Sequence, residues 1–363
     1  MVKCGYVVLR WALAGTVAER GSISQPPGSS PSSRGDPLLL TSNRQSQRGR
    51  IHDYVGRNVL PSLGIAGRSF AIEPPPDTGT RSSLWLIRIE GIQPLLLRSF
   101  ARRRQARASV TAMRHMEAHD LPAPRVVFDD LRIAPWLAGL LGARGPHCVT
   151  IETWIDGPSH ARLTDPAAIA AAALKTAELL ARMHQVTRDA WGRPDRPRAD
   201  SFAGHALGVA RRMIRDLGRG GWLDPPARKR AGELLESFRD RVAAIRSFRL
   251  VHNDVNRHNV VVAADGHVAL VDLHRIAYEP FPEEVLNASY HFCRKDPVLA
   301  AQFEQTYFAR AGDAMRRLFD ETRGFFEPLH YLKKLHRRAT TLGRRGLAPD
   351  DAKMTRYLRG LLG

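Results

Sequence analysis

The sequence predicts an α+β fold with two lobes, a small antiparallel β lobe followed by a larger, mostly helical lobe. Short apolar runs separated by turn residues dominate residues 51–156, whereas apolar residues recur at helical spacing through much of residues 157–363. One β-hairpin interrupts the helical part, because Asp265-Gly266 separates two strand-like runs, Val260–Val262 and Val268–Val271. A chain of 363 residues can bury the core of such a two-lobed domain.

Residues 1–50 are expected to form a disordered or poorly structured extension, since residues 21–50 are rich in Ser, Pro, Gly, Arg and Gln. Arg10 interrupts the apolar residues before them, whereas a secretion signal needs an unbroken apolar segment. No apolar run approaches the ~18 residues of a transmembrane helix. The cysteines are few and far apart, which favours a reducing compartment such as the cytoplasm; they are Cys4, Cys148 and Cys293.

The net charge of +19 points to an anionic partner, such as a nucleotide, a nucleic acid or an acidic lipid surface, unless it reflects only an Arg-rich composition. Nucleic acid is disfavoured because no zinc module or aromatic-basic RNA-binding signature is present. A basic amphipathic tail surrounds Leu332, Leu335 and Leu342. It suits peripheral contact with an anionic membrane or packing on the core with a wet basic face, and we favour packing. Its basic residues are Lys333, Lys334, Arg337, Arg338, Arg344 and Arg345.

The first lobe is predicted to contain several strands and one main helix. Ser83–Glu90 and Leu95–Phe100 read as strands around a turn. Arg102–His119 carries apolar residues at helical spacing, and Cys148–Ile155 alternates like a strand before the breaker Asp156-Gly157-Pro158.

Helical periodicity begins at Pro166–His184, with Asp165 as its N-cap. We expect His184 to be a structural residue rather than a catalyst. Further helices are expected at Phe202–Leu217, Pro226–Ser247, Glu283–Phe292, Pro297–Ala311 and Ala314–Leu342.

Three polar residues stand where strands around the hairpin end. Asp254 follows the strand-like run Phe248–Val251, Asn259 comes five residues later, and Asp272 ends the second hairpin strand. Phosphoryl transfer from a nucleotide needs such a set. One carboxylate orients or deprotonates the acceptor hydroxyl, while an amide and a second carboxylate hold metal ions against the phosphates.

The pattern His-x-Asp-x-x-x-x-Asn at 252–259, followed by a strand ending in Asp-Leu-His, resembles the catalytic loop and metal-binding Asp of the protein-kinase-like fold. The aminoglycoside phosphotransferase/choline kinase branch and the lipopolysaccharide (Kdo and heptose) kinases look closest. AELLARMH at 177–184 and WGRP at 191–194 resemble a helix and loop of these families. No Ala-Pro-Glu signature follows Asp272, which argues against a protein substrate.

The resemblance implies ATP and Mg²⁺ as cofactors and assigns roles to the residues of the site. Asp254 would accept or position the proton of the acceptor hydroxyl, while Asn259 and Asp272 would hold Mg²⁺. His252 would support the loop. Arg98 stands where the families carry a phosphate-contacting Lys.

The resemblance also assigns nucleotide contacts in the first lobe. Gly79 would belong to the loop that covers the phosphates, and backbone groups from Glu152 to Ile155 would meet the adenine, although Glu152 could instead be an edge-strand carboxylate. Ser109 occupies the place of the helix Glu that pairs with the Lys, which leaves Arg98 without its expected partner.

Together these features predict a kinase that phosphorylates a hydroxyl of a small molecule or of a glycolipid sugar, in the cytoplasm or peripherally at the inner membrane face. A pseudokinase or nucleotide-binding regulator is the alternative. The basic charge and the sequence VDLHR at 271–275 favour an acidic, lipid-linked acceptor over an amino sugar. Three acidic residues could still make a local cation pocket: Glu279, Glu283 and Glu284. Asn253 departs from the Gly of the aminoglycoside branch, and Asn tolerates unusual backbone angles.

Overall fold

A computed structural model describes residues 47–75, 84–134, 147–293, 296–343 and 352–362. Gly79 and the segment 1–46 lie outside these described residues.

A five-stranded antiparallel sheet forms the first part of the described chain, in the order β1-β2-β3-β5-β4. Strand β3 begins and ends where the sequence predicts, and the other predicted strands shift by one or two residues. Leu97 pairs with Ile151 and Arg98 with Thr150, so β5 lies in the interior of the sheet between β3 and β4. The strands are β1 (Phe70–Glu73), β2 (Leu84–Ile89), β3 (Leu95–Phe100), β4 (Val126–Ala134) and β5 (His147–Thr153).

A helix that the sequence analysis missed covers one face of this sheet. Helix α1 comprises residues 47–54, a π-helical turn at Val55–Val59 and a last turn at Leu60–Ser62. Its first turn lies in the segment expected to be disordered. Ile51 and Tyr54 are buried against the sheet, and apolar residues at this three- and four-residue spacing are the signal that predicts such a helix.

Helix α2 (Arg103–Ala118) follows β3, as predicted. Val110, Met113 and Met116 form its buried face. The chain leaves the helix through Asp120, which has a positive φ of 51°, and Leu121 donates its N–H to the carbonyl of Met116.

The second part is mainly helical. The predicted helices are present, and each begins and ends within two residues of its predicted bounds. The exception is Pro226–Ser247, where two shorter helices replace the single predicted one. Asp165 caps α3 by accepting from two backbone N–H groups, as predicted. The helices are α3 (Pro166–Met183), α4 (Phe202–Arg219), α5 (Pro225–Glu236), α6 (Arg239–Ala243), α7 (Pro282–Phe292), α8 (Pro297–Ala311), α9 (Asp313–Gly343) and α10 (Ala352–Leu362).

Two small sheets lie among these helices. The predicted hairpin is present, and Gly266 has a positive φ of 77° at its turn. The other sheet, in the order β6-β9-β12-β7-β8, was not predicted because its strands have only two to four residues and pair across long sequence distances. The strands are β6 (Thr187–Arg188), β7 (Trp191–Arg193), β8 (Arg196–Arg198), β9 (Phe248–Val251), β10 (Val260–Val262), β11 (Val268–Leu270) and β12 (Ala277–Glu279).

The long helix α9 packs on the helical core through Leu332, Leu335 and Leu342, which are buried. This confirms that the basic tail packs on the core. Among the described residues, no helix combines the length and apolar character needed to cross a membrane.

Candidate active site

The hairpin brings the polar residues of the catalytic stretch together. Asn259 directly precedes β10, Asp272 comes two residues after the end of β11, and Val260 pairs with Leu270 in the register of the two strands. The N–H of Val271 donates to the carbonyl of Asn259 at 3.0 Å. Asn259 and Asp272 therefore lie at the same end of the hairpin.

The loop that carries Asp254 is tied to this end of the hairpin by two side chains. Asn259 donates from Nδ2 to the carbonyl of Asp254 at 2.9 Å, and His252, which is fully buried, lies with Nε2 2.9 Å from the carbonyl of Val271. Since a carbonyl only accepts, His252 Nε2 is the donor. A hydrogen bond thus joins His252, two residues before Asp254, directly to Val271, the residue before Asp272.

Glu284 holds the backbone of the same loop, a role that the sequence analysis missed. Its carboxylate on α7 accepts the N–H of His252 at 3.0 Å and the N–H of Asn253 at 2.7 Å. Asn253 has a positive φ of 63°, which agrees with its replacing a glycine. The carboxylate thus holds two successive N–H groups of the loop.

His184 completes the support beneath Glu284. Its Nε2 donates to the Glu284 carboxylate at 3.0 Å, and its Nδ1 lies 2.6 Å from the hydroxyl of Tyr307. His184 is fully buried and does not line the cleft that contains Asp254, so it holds α3, α7 and α8 together. The structural role expected for His184 fits this position.

Asp272 receives two donors on one carboxylate oxygen. Arg98 Nη1 lies 3.2 Å and His274 Nδ1 2.9 Å from Oδ1. Burial alone raises the pKa of Asp272, but the hydrogen bond from His274 and the charge of Arg98 outweigh it and lower the pKa to about 2. Asp272 is therefore ionised at neutral pH, and its other oxygen, Oδ2, stays available to a cation.

Arg98 has a carboxylate partner, but it comes from β5 and not from α2. Arg98 Nη2 lies 3.1 Å from Glu152 Oε1, and Ser109 is a buried helix residue. Burial alone lowers the pKa of Arg98, and the charges of Glu152 and Asp272 raise it above the ordinary value. Glu152 is 2% exposed in an interior strand, so the edge-strand interpretation is wrong.

The residues predicted to meet adenine differ in whether their backbone groups are already hydrogen-bonded. The N–H of Thr153 donates to Arg125 and that of Trp154 to Pro94, so both are used within the first lobe. Within the described chain, the backbone of Ile155 takes part in no hydrogen bond. Of this segment, Ile155 is the residue whose backbone remains open to a base.

A cleft of about 1560 Å³ opens on the other side of Asp254. It is bounded by the catalytic loop, by β7 and β8 and by helices α7 and α9. Arg275 and Asp254 both line it, and Arg275 Nη1 lies 3.6 Å from Asp254 Oδ1. Asp254 thus faces a space large enough for an acceptor molecule, whereas Arg98 and Asp272 lie outside its lining.

The sequence of residues 74–319, about two thirds of the chain, matches the model of the phosphotransferase enzyme family (APH). The chain belongs to the phosphotransferase enzyme family. The predicted kinase-like family and fold are thereby confirmed, and the protein is a kinase. No curated protein matches the chain in sequence at a significant level.

Solved structures of this phosphotransferase fold resemble the chain at low identity. Aminoglycoside phosphotransferase APH(4)-Ia has 15% identity and a TM-score of 0.56, over 87% of this chain and 99% of that one. A Thermobifida fusca protein described as a fructosamine-3-kinase has 15% identity and a TM-score of 0.54, over 85% and 99%. A thermostable APH(4)-Ia variant in complex with AMP-PNP and hygromycin B has 15% identity and a TM-score of 0.55, over 85% and 99%.

Replacing Glu284 with Gln is expected to lower the free energy of unfolding by about 3 kcal/mol at neutral pH. The amide NH₂ of Gln would face a donor that needs an acceptor, the N–H of His252 or of Asn253. Urea denaturation measures the loss, with Glu233→Gln as a control because the Glu233 side chain is 66% exposed. Equal stability of the two variants would contradict the role of Glu284.

The same substitution is expected to change how stability depends on pH. Burial alone raises the pKa of Glu284, but His184 and the N–H of His252 lower it below the ordinary value of 4.5. Because the folded carboxylate has the lower pKa, its stabilisation is present above pH 4.5 and is lost as the pH falls through the folded pKa. The difference between wild type and Glu284→Gln should therefore shrink on acidification, and a constant difference would contradict the assignment.

Replacing Arg98 with Met is expected to cost about 3–5 kcal/mol of unfolding free energy, because it leaves Glu152 as a buried carboxylate without a cation. The double variant with Glu152→Gln should regain most of that stability, since no buried charge is then left alone. Arg88→Met is the control, because Arg88 pairs with Glu73 at the surface and should contribute less than about 1 kcal/mol. A loss at Arg98 no larger than the loss at Arg88 would show that Glu152 does not depend on it.

Proposed function

We propose that the protein transfers the γ-phosphoryl group of ATP, with Mg²⁺, to a hydroxyl of a small molecule or of a glycolipid sugar. The observation that carries the proposal is the convergence of Asp254, Asn259 and Asp272 at one end of the hairpin, with Asp254 lining a cleft of about 1560 Å³. These residue types supply a base or orienting carboxylate and two oxygen ligands for a metal ion.

Asn259 and Asp272 fit a magnesium ion that also binds phosphate oxygens. Asn259 commits its amide nitrogen to the carbonyl of Asp254, which leaves the amide oxygen as its ligand atom. Asp272 keeps Oδ2 free of the donors that hold Oδ1. Magnesium takes one or two such protein oxygens and completes its shell with water and phosphate oxygens, and when bound it neutralises phosphate charge.

Asp254 would orient the acceptor hydroxyl and accept its proton. It stands on a loop whose backbone is fixed by Glu284, by Asn259 and by Asn287, which donates to the carbonyl of Val255 at 2.8 Å. A fixed carboxylate lowers the entropic cost of placing the hydroxyl in line with the γ-phosphorus. His252 would act through this loop as a positioning residue.

Arg98 would contact the phosphates of the nucleotide, with Glu152 as the residue that positions it. The guanidinium of Arg98 already forms ion pairs with two carboxylates, those of Glu152 and Asp272. A nucleotide phosphate would replace Asp272, while Glu152 would keep its ion pair with Arg98. Ile155 would offer its backbone to the adenine, and Gly79 remains a proposed phosphate-loop residue.

The structure gives no ground for the pseudokinase alternative. That alternative depended on the missing helix Glu, and Arg98 has a buried carboxylate partner in Glu152. The hydroxyl acceptor is supported by the complex of the related APH(4)-Ia variant with hygromycin B. A glycolipid acceptor, contact with an anionic membrane and a cytoplasmic location stay predictions.

The test is γ-phosphate transfer from radiolabelled ATP with magnesium, screened against sugars, amino alcohols and glycolipids. Asp254→Ala and Asp272→Ala are each expected to lower kcat by at least about 10³-fold, because one removes the acceptor's carboxylate and the other a metal ligand. Asp265→Ala, in the exposed hairpin turn, is the control that keeps activity. Transfer that persists in both site variants would refute the proposed function.

A further inference from the structure

One face of α9 brings basic side chains to the acceptor side of the cleft. His330, Lys333, Lys334 and Arg337 are spaced by three and four residues, which places them on one side of a helix. All four line the same cleft as Asp254. Beside them, α7 contributes Tyr290 and His291 to the lining.

The lysines on this face differ in their partners. Lys333 Nζ lies 2.7 and 2.6 Å from the two carboxylate oxygens of Glu283, so its charge is balanced. Lys334 Nζ lies 3.1 Å from His291 Nε2 and 5.2 Å from the centroid of the Tyr290 ring. Among the described residues, no carboxylate lies within ion-pair distance of Lys334 or Arg337.

His330 adds a buried donor without a partner. It lines the cleft but is only 6% exposed, and in the described chain its Nε2 has no hydrogen-bond partner. Burial, and then the charge of Lys334, lower the pKa of His330 to about 3, so the imidazole is neutral and can donate one hydrogen bond. A buried polar atom without a partner is costly, and a ligand that reached His330 would remove that cost.

The cationic groups on this face also lower the pKa values of their neighbours. Burial and the charge of Arg337 lower the pKa of Lys334 to about 8, although Asp254 partly opposes them. Burial and the charge of Lys334 lower the pKa of His291 to about 4. An anion between these groups would relieve this repulsion.

The acidic residues that could have made a cation pocket are either committed to other partners or only partly charged. Glu283 pairs with Lys333, and Glu284 is committed to the catalytic loop. Burial raises the pKa of Glu279 to about 7, so it carries only part of a charge at neutral pH. The cleft lining holds nine Lys or Arg against five Asp or Glu, which disfavours a cationic acceptor.

We propose that the α9 basic cluster, defined as His330, Lys334 and Arg337 with His291, binds a phosphate group carried by the acceptor. This proposal rests on the proposed function, since it names a property of the molecule that Asp254 serves. Phosphate fits better than carboxylate because it offers more charge and three acceptor oxygens to two cations and two imidazoles. The phosphate belongs to a soluble sugar phosphate or to a lipid-linked sugar, which share this chemistry.

The test measures equilibrium binding to the full-length protein by calorimetry, with the nucleotide site filled by AMP-PNP and magnesium. The probes are inorganic phosphate and a set matched except for charge: glucose 6-phosphate, glucuronate, glucose and glucosamine. We expect inorganic phosphate and glucose 6-phosphate to bind, and glucose 6-phosphate to bind at least about tenfold more tightly than the other three sugars. Equal binding of all four sugars, a preference for glucosamine, or no binding of any probe would overturn the proposal.

The variants locate the binding. Lys334→Met and Arg337→Met should each weaken phosphate binding about tenfold or more, while Lys334→Arg should retain it. Lys229→Met on α5 is the control, since its side chain is 77% exposed, lies outside the cleft lining and loses the same charge. Phosphate binding that Lys334→Met and Lys229→Met change equally would place the anion elsewhere and refute the cluster.

Two further readouts separate the proposals and the sources of phosphate. Phosphate binding at the cluster without γ-phosphate transfer to any acceptor would refute the proposed function but not the phosphate site at the cluster. Transfer without a preference for phosphorylated acceptors would refute the phosphate site at the cluster but not the proposed function. Displacement of glucose 6-phosphate by phosphatidylglycerol vesicles, but not by phosphatidylcholine vesicles, would assign the phosphate to a lipid-linked acceptor, and no displacement to a soluble one.

Discussion

The carboxylate of Glu284 is the constraint on which the catalytic loop depends. It is buried, and three donors compensate its desolvation: the N–H groups of His252 and Asn253 and the imidazole of His184. Because His252 also donates to the carbonyl of Val271, next to Asp272, the same carboxylate fixes Asp254, the proposed base, relative to the proposed metal-binding end of the hairpin.

The charges on the two sides of Asp254 are arranged differently. On the side of the proposed nucleotide site, Arg98 is held between Glu152 and Asp272, so two carboxylates compensate its charge. On the acceptor side, Lys334 and Arg337 face the cleft with no carboxylate in ion-pair distance in the described chain. A phosphate that binds Arg98 would replace a carboxylate, whereas an anion at Lys334 and Arg337 would meet a deficit of negative charge.

The sequence predicted those features that are local. Asp254, Asn259 and Asp272 lie on one loop and one hairpin, whose turn and strand signals are contained in adjacent residues, so their convergence followed from spacing. Glu152 and Glu284 were misread because their partners are 54 and 32 residues away. Which side chain a buried carboxylate meets is decided by the packing of strands and helices. The second sheet and the basic face of the cleft were missed for the same reason, since only the tertiary fold assembles them.

The most direct measurement is a crystal structure with AMP-PNP and manganese in place of magnesium, with the ion located by its anomalous scattering. The account predicts a metal bound by the amide oxygen of Asn259 and by the carboxylate of Asp272. It also predicts that Arg98 leaves Asp272 for a phosphate oxygen and keeps its ion pair with Glu152. A bound nucleotide with no metal at these two residues, or with the ion pair between Arg98 and Asp272 unchanged, would contradict the account.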